Sequence, residues 1–215
     1  MALRYAAEGA HLVLIARTVG ALEEVDDAVR AAGGEAATLV PLDLRDGTAL
    51  DRLGAALYER WGRLDVLVGN AGVLGPLSPV GHIKPEAWDE AFAVNVTANY
   101  RLLRSLDPLL RRSEAGRAIF VTSGAARKAG AYWSLYAATK AALEALVRSY
   151  AAEVETFGVK ANLVSPGPIR TAMRAKAFPG EDPTELRPPE AVAEAFVELA
   201  LPACARNGEV VELRP

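Results

Sequence analysis

The sequence predicts an α/β fold with a doubly wound parallel sheet, built as a single domain over residues 1–215. Short apolar runs alternate with longer helical segments along the chain, which is typical of a parallel sheet covered by helices. The first of these runs is continuously apolar, as expected for a strand buried on both faces. With 215 residues, 51% of them apolar, the chain is long enough to bury one sizeable core.

The apolar runs and the helical segments between them can be placed in order. Strands are predicted over 11–16, 36–42, 64–68, 117–122, 159–164 and 209–213. Helices are predicted over 19–32, 48–61, 85–112, 134–157 and 189–201. Segment 170–189 contains four prolines and many charges, so it is predicted to be a loop with short helices at most.

Composition argues against several classes of function. The formal net charge of −3 gives no basic surface for a nucleic acid. No apolar run reaches the roughly 18 residues that span a bilayer, and there is no signal-peptide pattern. The single cysteine, Cys204, fits a reducing cytoplasm. Two histidines, His11 and His82, without a Cys/His cluster argue against a transition-metal site.

Polar and glycine-rich groups follow five consecutive predicted strands. In doubly wound sheets, ligands bind beyond the carboxyl ends of the strands, so these groups predict a ligand site there. Singly, each group is also explained as an ordinary turn. The groups are Arg17, Asp43, Asn70-Ala71-Gly72, Ser123 and Pro166-Gly167.

Tyr136 and Lys140 are the candidate acid/base pair. They lie four residues apart in a segment rich in Ala and Leu, so a helix places them on one face. The ammonium is expected to favour the phenolate and to lower the pKa of the tyrosine from about 10. Alone, the spacing more often marks a half-buried tyrosine beside a solvated lysine.

Several motifs together resemble the short-chain dehydrogenase/reductase family, of the type with a single-domain Rossmann fold. The resemblance extends from Ala2 to Leu213. The matching residues are Asn70-Ala71-Gly72, Asn95 within Val94–Thr97, Ser123, Tyr136 to Lys140, and Pro166-Gly167-Pro168-Ile169-Arg170-Thr171.

This resemblance implies hydride transfer between a nicotinamide cofactor and a small-molecule carbonyl or alcohol. Tyr136 would act as the general acid, and Ser123 would donate a hydrogen bond to the substrate oxygen. Lys140 would lower the pKa of the tyrosine and bind the nicotinamide ribose. Asn95 would hold a water that relays protons to Lys140.

The resemblance also implies which residues bind the cofactor. Asp43 would accept from the adenine amino group, with Leu44 beside the ring. Arg17, at the position where an acidic residue would bind a ribose 2′-hydroxyl, favours NADP over NAD because it can pair with a 2′-phosphate. The remaining implied contacts are Asn70, Ala71, Gly72, Tyr136, Lys140, Pro166, Gly167, Ile169 and Thr171.

The substrate and the assembly are less closely defined. In this family the pocket would be lined by 130–133, 74–79 and 172–188. Tyr132 and Trp133 suggest an apolar or aromatic substrate, or packing against a neighbouring subunit. The helices over 86–112 and 134–157 form a dimer interface in many relatives, so a homodimer or homotetramer is expected by analogy.

One departure from the family is large. The family opens with a strand and a Gly-rich turn that carries the cofactor pyrophosphate, whereas residues 1–9 here look like the second half of the helix after that turn. The fold is therefore expected to lack its first strand, leaving two strand edges unpaired. A start assigned inside the gene or a shortened chain, a disordered N-terminus, and a variant that lost the turn are three explanations.

Three functional hypotheses follow. The first is an NADP(H)-dependent oxidoreductase. The second is a non-catalytic binding or scaffold protein that cannot hold the dinucleotide. The third is an epimerase or dehydratase on the same fold. Titration with NADPH separates the first two.

Overall fold

The computed structural model of the protein describes residues 1–213, and all paired strands within it are parallel. Every predicted strand is confirmed, with bounds that shift by at most two residues. The prediction of a single domain over 1–215 includes residues 214 and 215, which lie outside the described part. The strands are β1 Val13–Ala16, β2 Thr38–Pro41, β3 Val66–Gly69, β4 Arg117–Val121, β5 Lys160–Ser165 and β6 Val210–Glu212.

The helices alternate with these strands. They are α1 Ala2–Ala7, α2 Val19–Ala31, α3 Gly47–Trp61, α4 Pro85–Phe92, α5 Ala98–Leu110, α6 Ala125–Lys128, α7 Ser134–Glu153, α8 Ala172–Ala177 and α9 Ala193–Ala200. The short α6 was not predicted, and α8 is the short helix allowed for in the 170–189 loop. The helix predicted over 85–112 is divided, because a π-helical turn, Ala93–Thr97, separates α4 from α5.

Residues at the helix termini explain where the helices begin and end. The Asp46 carboxylate caps α3 by accepting a 3.0 Å hydrogen bond from the Ala49 N–H. The same helix ends at Gly62, whose φ of 72° is a left-handed conformation that glycine adopts without strain. The helix predicted to end near Gly158 stops at Glu153 and continues as a 3₁₀ turn, Glu155–Phe157.

The strands form two parallel sheets. One sheet pairs β1 with β2, and the other has the order β3-β4-β5-β6. Within residues 1–213, no ladder of hydrogen bonds joins β1 to β3, so each of these strands has a single neighbour. Two unpaired edges were expected, and they are found on these strands.

The four-stranded sheet is covered on both faces, so the doubly wound class is confirmed. On one face, Phe120 of β4 packs with Leu50 of α3 and Leu143 of α7. On the other face, Ile119 of β4 packs with Phe196 of α9. Adjacent residues of β4 thus enter opposite layers, and each fully buried apolar side chain contributes about 1.5–3 kcal/mol.

Candidate active site

The catalytic candidates meet where α7 passes the carboxyl end of β4. Tyr136 and Lys140 lie one turn apart on the buried face of α7, with 8% and 3% of their surfaces exposed. Ser123 follows β4, and its hydroxyl lies close enough to the Tyr136 phenol to lower the pKa of the phenol. The structure therefore brings together three side chains that are separated by up to 17 residues in sequence.

The protonation of this group differs from the prediction. Burial raises the pKa of Tyr136, and the neighbouring Ser123 hydroxyl offsets this only in part. Lys140 Nζ lies 5.8 Å from the Tyr136 ring centroid and donates to the Val121 carbonyl oxygen at 2.8 Å. The predicted lowering of the tyrosine pKa by Lys140 is thus wrong for this structure, because burial dominates. A tyrosine that keeps its proton at neutral pH suits a proton donor.

Burial also changes the pKa of Lys140. Desolvation lowers its pKa from 10.5 to about 8, because the surrounding protein disfavours the charged ammonium. The Val121 carbonyl is the acceptor found for it in the described structure. Burial therefore shifts the pKa of both residues, that of Tyr136 upward and that of Lys140 downward.

Asn95 lies in the π-helical turn and is fully buried. Its Nδ2 donates to the Val73 carbonyl and to Thr139 Oγ1, each at 2.9 Å, while its Oδ1 accepts from the Val73 N–H at 2.8 Å. The Asn95 carbonyl accepts a 2.9 Å hydrogen bond from Asn99. Asn95 therefore fastens the loop after β3 to α7 beside Lys140. Its predicted role in holding a water stays a prediction.

A second group of predicted residues lines one cavity at the strand ends. The cavity has a volume of about 190 Å³, and five of the predicted cofactor residues lie on its wall. Asn70 is exposed and is not part of this lining. Sequence reasoning missed Val73, Glu90 and Val94, which also line it. The predicted residues in the lining are Arg17, Asp43, Leu44, Ala71 and Gly72.

Asp43 is already engaged by a neighbouring arginine. Arg45 Nη2 lies 2.6 Å from Asp43 Oδ2, and Arg45 Nε also donates to the carboxylate. These hydrogen bonds lower the pKa of Asp43 to about 2, and the charge of Arg17 contributes to the lowering. Asp43 and Arg45 are two residues apart in the sequence, and an Asx turn brings residues at this spacing together. The contact between them could therefore have been predicted.

Gly72 connects the cavity to the acid/base group. A Cβ atom on Gly72 would lie 3.3 Å from Asn95 Oδ1 and 3.5 Å from Lys140 Nζ. The absence of a side chain thus leaves open the space between the Arg17 cavity and Lys140. This cradle fits a ligand that passes from the ends of β1 and β2 to the catalytic helix, as an extended dinucleotide would.

The third predicted group, Pro166 to Thr171, follows β5. Arg187 closes this segment at its base, because its Nη2 donates to the Pro166 carbonyl at 3.1 Å and to the Leu213 carbonyl at 3.0 Å. Ile169 and Arg187 form a parallel bridge. Thr171 caps α8 by accepting a 3.1 Å hydrogen bond from the Arg174 N–H. Arg187 was not predicted, since its contacts are distant in sequence.

A network of charged side chains is centred on the buried Glu144, close to Ser123. The Glu144 carboxylate accepts from Thr122 Oγ1 at 2.9 Å, and it pairs with Arg127 at 2.6 Å and Arg148 at 3.2 Å. Arg127 also pairs with Glu212 at 2.7 Å. Thr122 immediately precedes Ser123, so this network ties the Ser123 segment to α7. Sequence reasoning missed it.

Two negative observations apply to residues 1–213. No cluster of three or more His, Cys, Asp or Glu side chains is placed there to bind a metal ion. None of the helices described is both long enough and apolar enough to cross a membrane.

Comparison with known proteins agrees with this arrangement. The fold and the group formed by Ser123 and the buried Tyr136 and Lys140 define a doubly wound α/β protein with a candidate acid/base site at its strand ends. The model of the short chain dehydrogenase family matches residues 1–182, and the chain belongs to this family. Its general class is accordingly that of the oxidoreductases in this family.

Two relatives and two solved structures illustrate the similarity. The uncharacterized oxidoreductase YciK of Escherichia coli K12 is 34% identical over 200 residues, which are 92% of this chain and 79% of YciK. The 2,3-dihydro-2,3-dihydroxybenzoate dehydrogenase of Bacillus subtilis is 30% identical over 84% of this chain and 68% of its own length.

The solved structures are short chain dehydrogenases with bound cofactor. One, from Shigella flexneri 2a, is complexed with NADP, and its TM-score is 0.95 at 32% identity, covering 100% of this chain and 90% of the other. The other, from Escherichia coli CFT073, is complexed with NADPH and has a TM-score of 0.95 at 32% identity, with the same coverage of 100% and 90%.

Proposed function

We propose that this protein is an NADP(H)-dependent oxidoreductase that interconverts a carbonyl and an alcohol, with Tyr136 as the general acid/base. The observation that carries the proposal is the meeting of Ser123, Tyr136 and Lys140 at the end of β4. Family membership and the cofactors of the similar structures support the same reaction.

In the direction of reduction, a bound NADPH supplies a hydride to the carbonyl carbon, and the oxygen receives a proton from Tyr136. Ser123 donates a hydrogen bond to the same oxygen and stabilises the negative charge that develops there. The raised pKa of Tyr136 keeps its proton available at neutral pH. Lys140 supplies a cation close to the phenol, and Asn95 holds the loop that carries Gly72.

For the cofactor, we assign the adenosine end to the cavity lined by Arg17, Asp43, Leu44 and Gly72. The guanidinium of Arg17 would pair with a 2′-phosphate, which favours NADP over NAD. Asp43 would accept from the adenine amino group on the oxygen lone pairs that Arg45 leaves open. Asn70 and Ala71 would border the adenosine on the side of β3.

The nicotinamide end is assigned to the segment after β5. Ile169 and Thr171 would hold the carboxamide, and Pro166 and Gly167 would lie against the ring. Gly167 suits this position because its φ of 72° is a conformation that other residues rarely adopt, and because a Cβ there would lie 3.0 Å from the Leu213 carbonyl oxygen. Arg187 would keep this segment in place.

The experiment is a titration of the purified protein with NADPH, followed by nicotinamide fluorescence, together with an assay of NADPH oxidation against a panel of ketones and aldehydes. We expect saturable binding and formation of the matching alcohol. Failure to bind NADPH would favour the scaffold hypothesis, and binding without reduction of any carbonyl would point to an epimerase or dehydratase.

A homodimer or homotetramer stays a prediction, and surface features support it. The exposed face of α7 presents small side chains, including Ala141, Ala145 and Ala152. Trp88 and Tyr100 on α4 and α5 are 39% and 48% exposed. Small residues allow two helices to approach closely, and light scattering tests the assembly. Action in the cytoplasm also stays a prediction, resting on the single Cys204.

A further inference from the structure

An aromatic row runs from the catalytic helix into the loop that follows β5. Trp133, the residue before α7, meets Tyr136 edge-on with ring centroids 6.1 Å apart. On its other side, Trp133 contacts Phe178, which directly follows α8, with centroids 5.6 Å apart and planes tilted by 31°. Trp133 therefore lies between the proposed proton donor and the loop.

Phe178, at the far end of this row, contacts the guanidinium of Arg174. The Arg174 guanidinium lies 3.8 Å from the Phe178 ring centroid, and Arg174 forms a two-pronged ion pair with Glu181. A cation held over a ring face stabilises the ring by about 0.5–2 kcal/mol. Phe178 is nonetheless 38% exposed, so one surface of the row remains open to a ligand.

The segment that directly precedes Trp133 has a strained backbone. Ala129 and Tyr132 have φ values of 41° and 70°, and they are the non-glycine residues with positive φ found in residues 1–213. Such conformations cost free energy and tend to persist at functional sites. The Tyr132 side chain is 60% exposed, and both roles predicted for it, lining the pocket or packing against a neighbouring subunit, stay predictions. Trp133 directly follows this strained residue.

Beyond Phe178 lies a cavity of about 470 Å³ within the loop. Its wall includes the apolar residues Ala172, Ala175, Pro179 and Leu186, together with Phe178. Thr171 also lines it, and Thr171 is the residue assigned to the nicotinamide carboxamide. The cavity wall also contains the charged residues Arg170 and Glu181. Through Phe178 and Trp133, the aromatic row connects this cavity to the ring of Tyr136.

We propose that Trp133 and Phe178 are specificity-determining residues that select a carbonyl substrate bearing a planar ring next to the carbonyl group. This deepens the proposed function and rests on it. The ring would lie against Trp133 and Phe178 while the carbonyl oxygen reaches Ser123 and Tyr136. Stacking favours a planar ring over a puckered one, because aromatic faces attract each other through offset or edge contacts.

The test compares acetophenone with cyclohexyl methyl ketone, which has the same carbon skeleton but a puckered ring. NADPH oxidation is measured for the wild type, Trp133→Leu, Phe178→Leu and the control Phe157→Leu. Phe157 forms the same kind of contact, with the Arg111 guanidinium 3.9 Å from its centroid, but it lies beyond the other end of α7. Thermal unfolding confirms that each variant is folded.

We expect the wild type to prefer acetophenone in kcat/KM by about tenfold. Trp133→Leu and Phe178→Leu should each reduce this preference to about twofold or less, and Phe157→Leu should keep it. A wild type without the preference, or a preference that survives both substitutions, overturns the inference while leaving the proposed reduction intact.

A binding measurement separates failure of the inference from failure of the proposed function. Saturation-transfer NMR follows acetophenone on each protein in the presence of NADP⁺, where the ketone cannot be reduced. Ring signals that saturate for the wild type and for Phe157→Leu, but are lost in both other variants, support the inference even if no carbonyl is turned over. Ring binding that is absent, or is unaffected by both substitutions, overturns it.

Discussion

Lys140 Nζ donates a 2.8 Å hydrogen bond to the carbonyl oxygen of Val121, the last residue of β4. This bond joins α7 to the strand that leads into Ser123. Because Lys140 is buried, its pKa falls from 10.5 to about 8, and this shift makes the stability of the protein depend on pH.

The first prediction concerns Lys140→Met. Between pH 8 and 10.5 the unfolded chain binds a proton at this lysine and the folded chain does not, so raising the pH stabilises the folded chain. The shift of the pKa to about 8 corresponds to about 3 kcal/mol. We expect the unfolding free energy of the wild type, relative to Lys140→Met, to rise by about that amount from pH 7 to 10.5. Denaturant titrations measure it. A constant or falling difference contradicts the buried ammonium.

The second prediction concerns the network behind Ser123. Glu144→Gln keeps the shape of a side chain that is 5% exposed but removes the charge that pairs with Arg127 and Arg148. Since both arginines are partly exposed, we expect a loss of about 1–3 kcal/mol of unfolding free energy. Thermal unfolding measures it. The exposed Glu153→Gln on the same helix is the control, with an expected change within about 0.5 kcal/mol. Equal losses would show that Glu144 is not structurally special.

Local sequence patterns were enough to place most of the fold. The continuous apolar run ending at Ala16 marked the first strand correctly, because such a signal lies within the element it predicts. The expectation that this strand is buried on both faces is wrong, since β1 has one neighbouring strand and its residues are only partly buried. The succession of strands along the chain and the shared face of Tyr136 and Lys140 followed from the periodicities of the sequence. Two strands with an unpaired edge were also predicted, and β1 and β3 each have one.

The side-chain partners of the site could not be predicted in the same way. Asn95 contacts Val73, 22 residues away, and Thr139, 44 residues away, so no local pattern marks either contact. Phe178 reaches Trp133 across 45 residues. The protonation of Tyr136 depended on how deeply the helix is buried, which the spacing to Lys140 does not reveal. Such contacts are fixed by tertiary packing.

The third prediction concerns the space above Gly72. In Gly72→Ala, the new Cβ would lie 3.3 Å from Asn95 Oδ1, tighter than most side-chain contacts. We expect the Kd for NADPH to rise about tenfold, which corresponds to about 1.4 kcal/mol. Fluorescence titration measures it. Gly20→Ala on α2 meets open space and serves as the control. Unchanged affinity in Gly72→Ala would place the cofactor elsewhere.

The fourth prediction concerns the choice between NADP and NAD. In Arg17→Gln, loss of the guanidinium should weaken NADPH binding about tenfold, because a charge-assisted hydrogen bond to phosphate contributes roughly 1.5–3 kcal/mol. NADH binding should change by less than about twofold. Parallel titrations with both cofactors give the ratio, and the exposed Arg52→Gln on α3 controls for a general change in charge. Equal weakening of both cofactors would remove Arg17 from phosphate recognition.

In the proposed reaction Tyr136 gives its proton to the carbonyl oxygen, and the turnover number of Tyr136→Phe tests this transfer. The substitution keeps the ring against Trp133 but removes the hydroxyl that meets Ser123. We expect kcat for NADPH-dependent reduction to fall by about 10²–10⁴-fold, with the Kd for NADPH unchanged within about twofold. A variant that binds NADPH and retains more than about half of the wild-type kcat would contradict it.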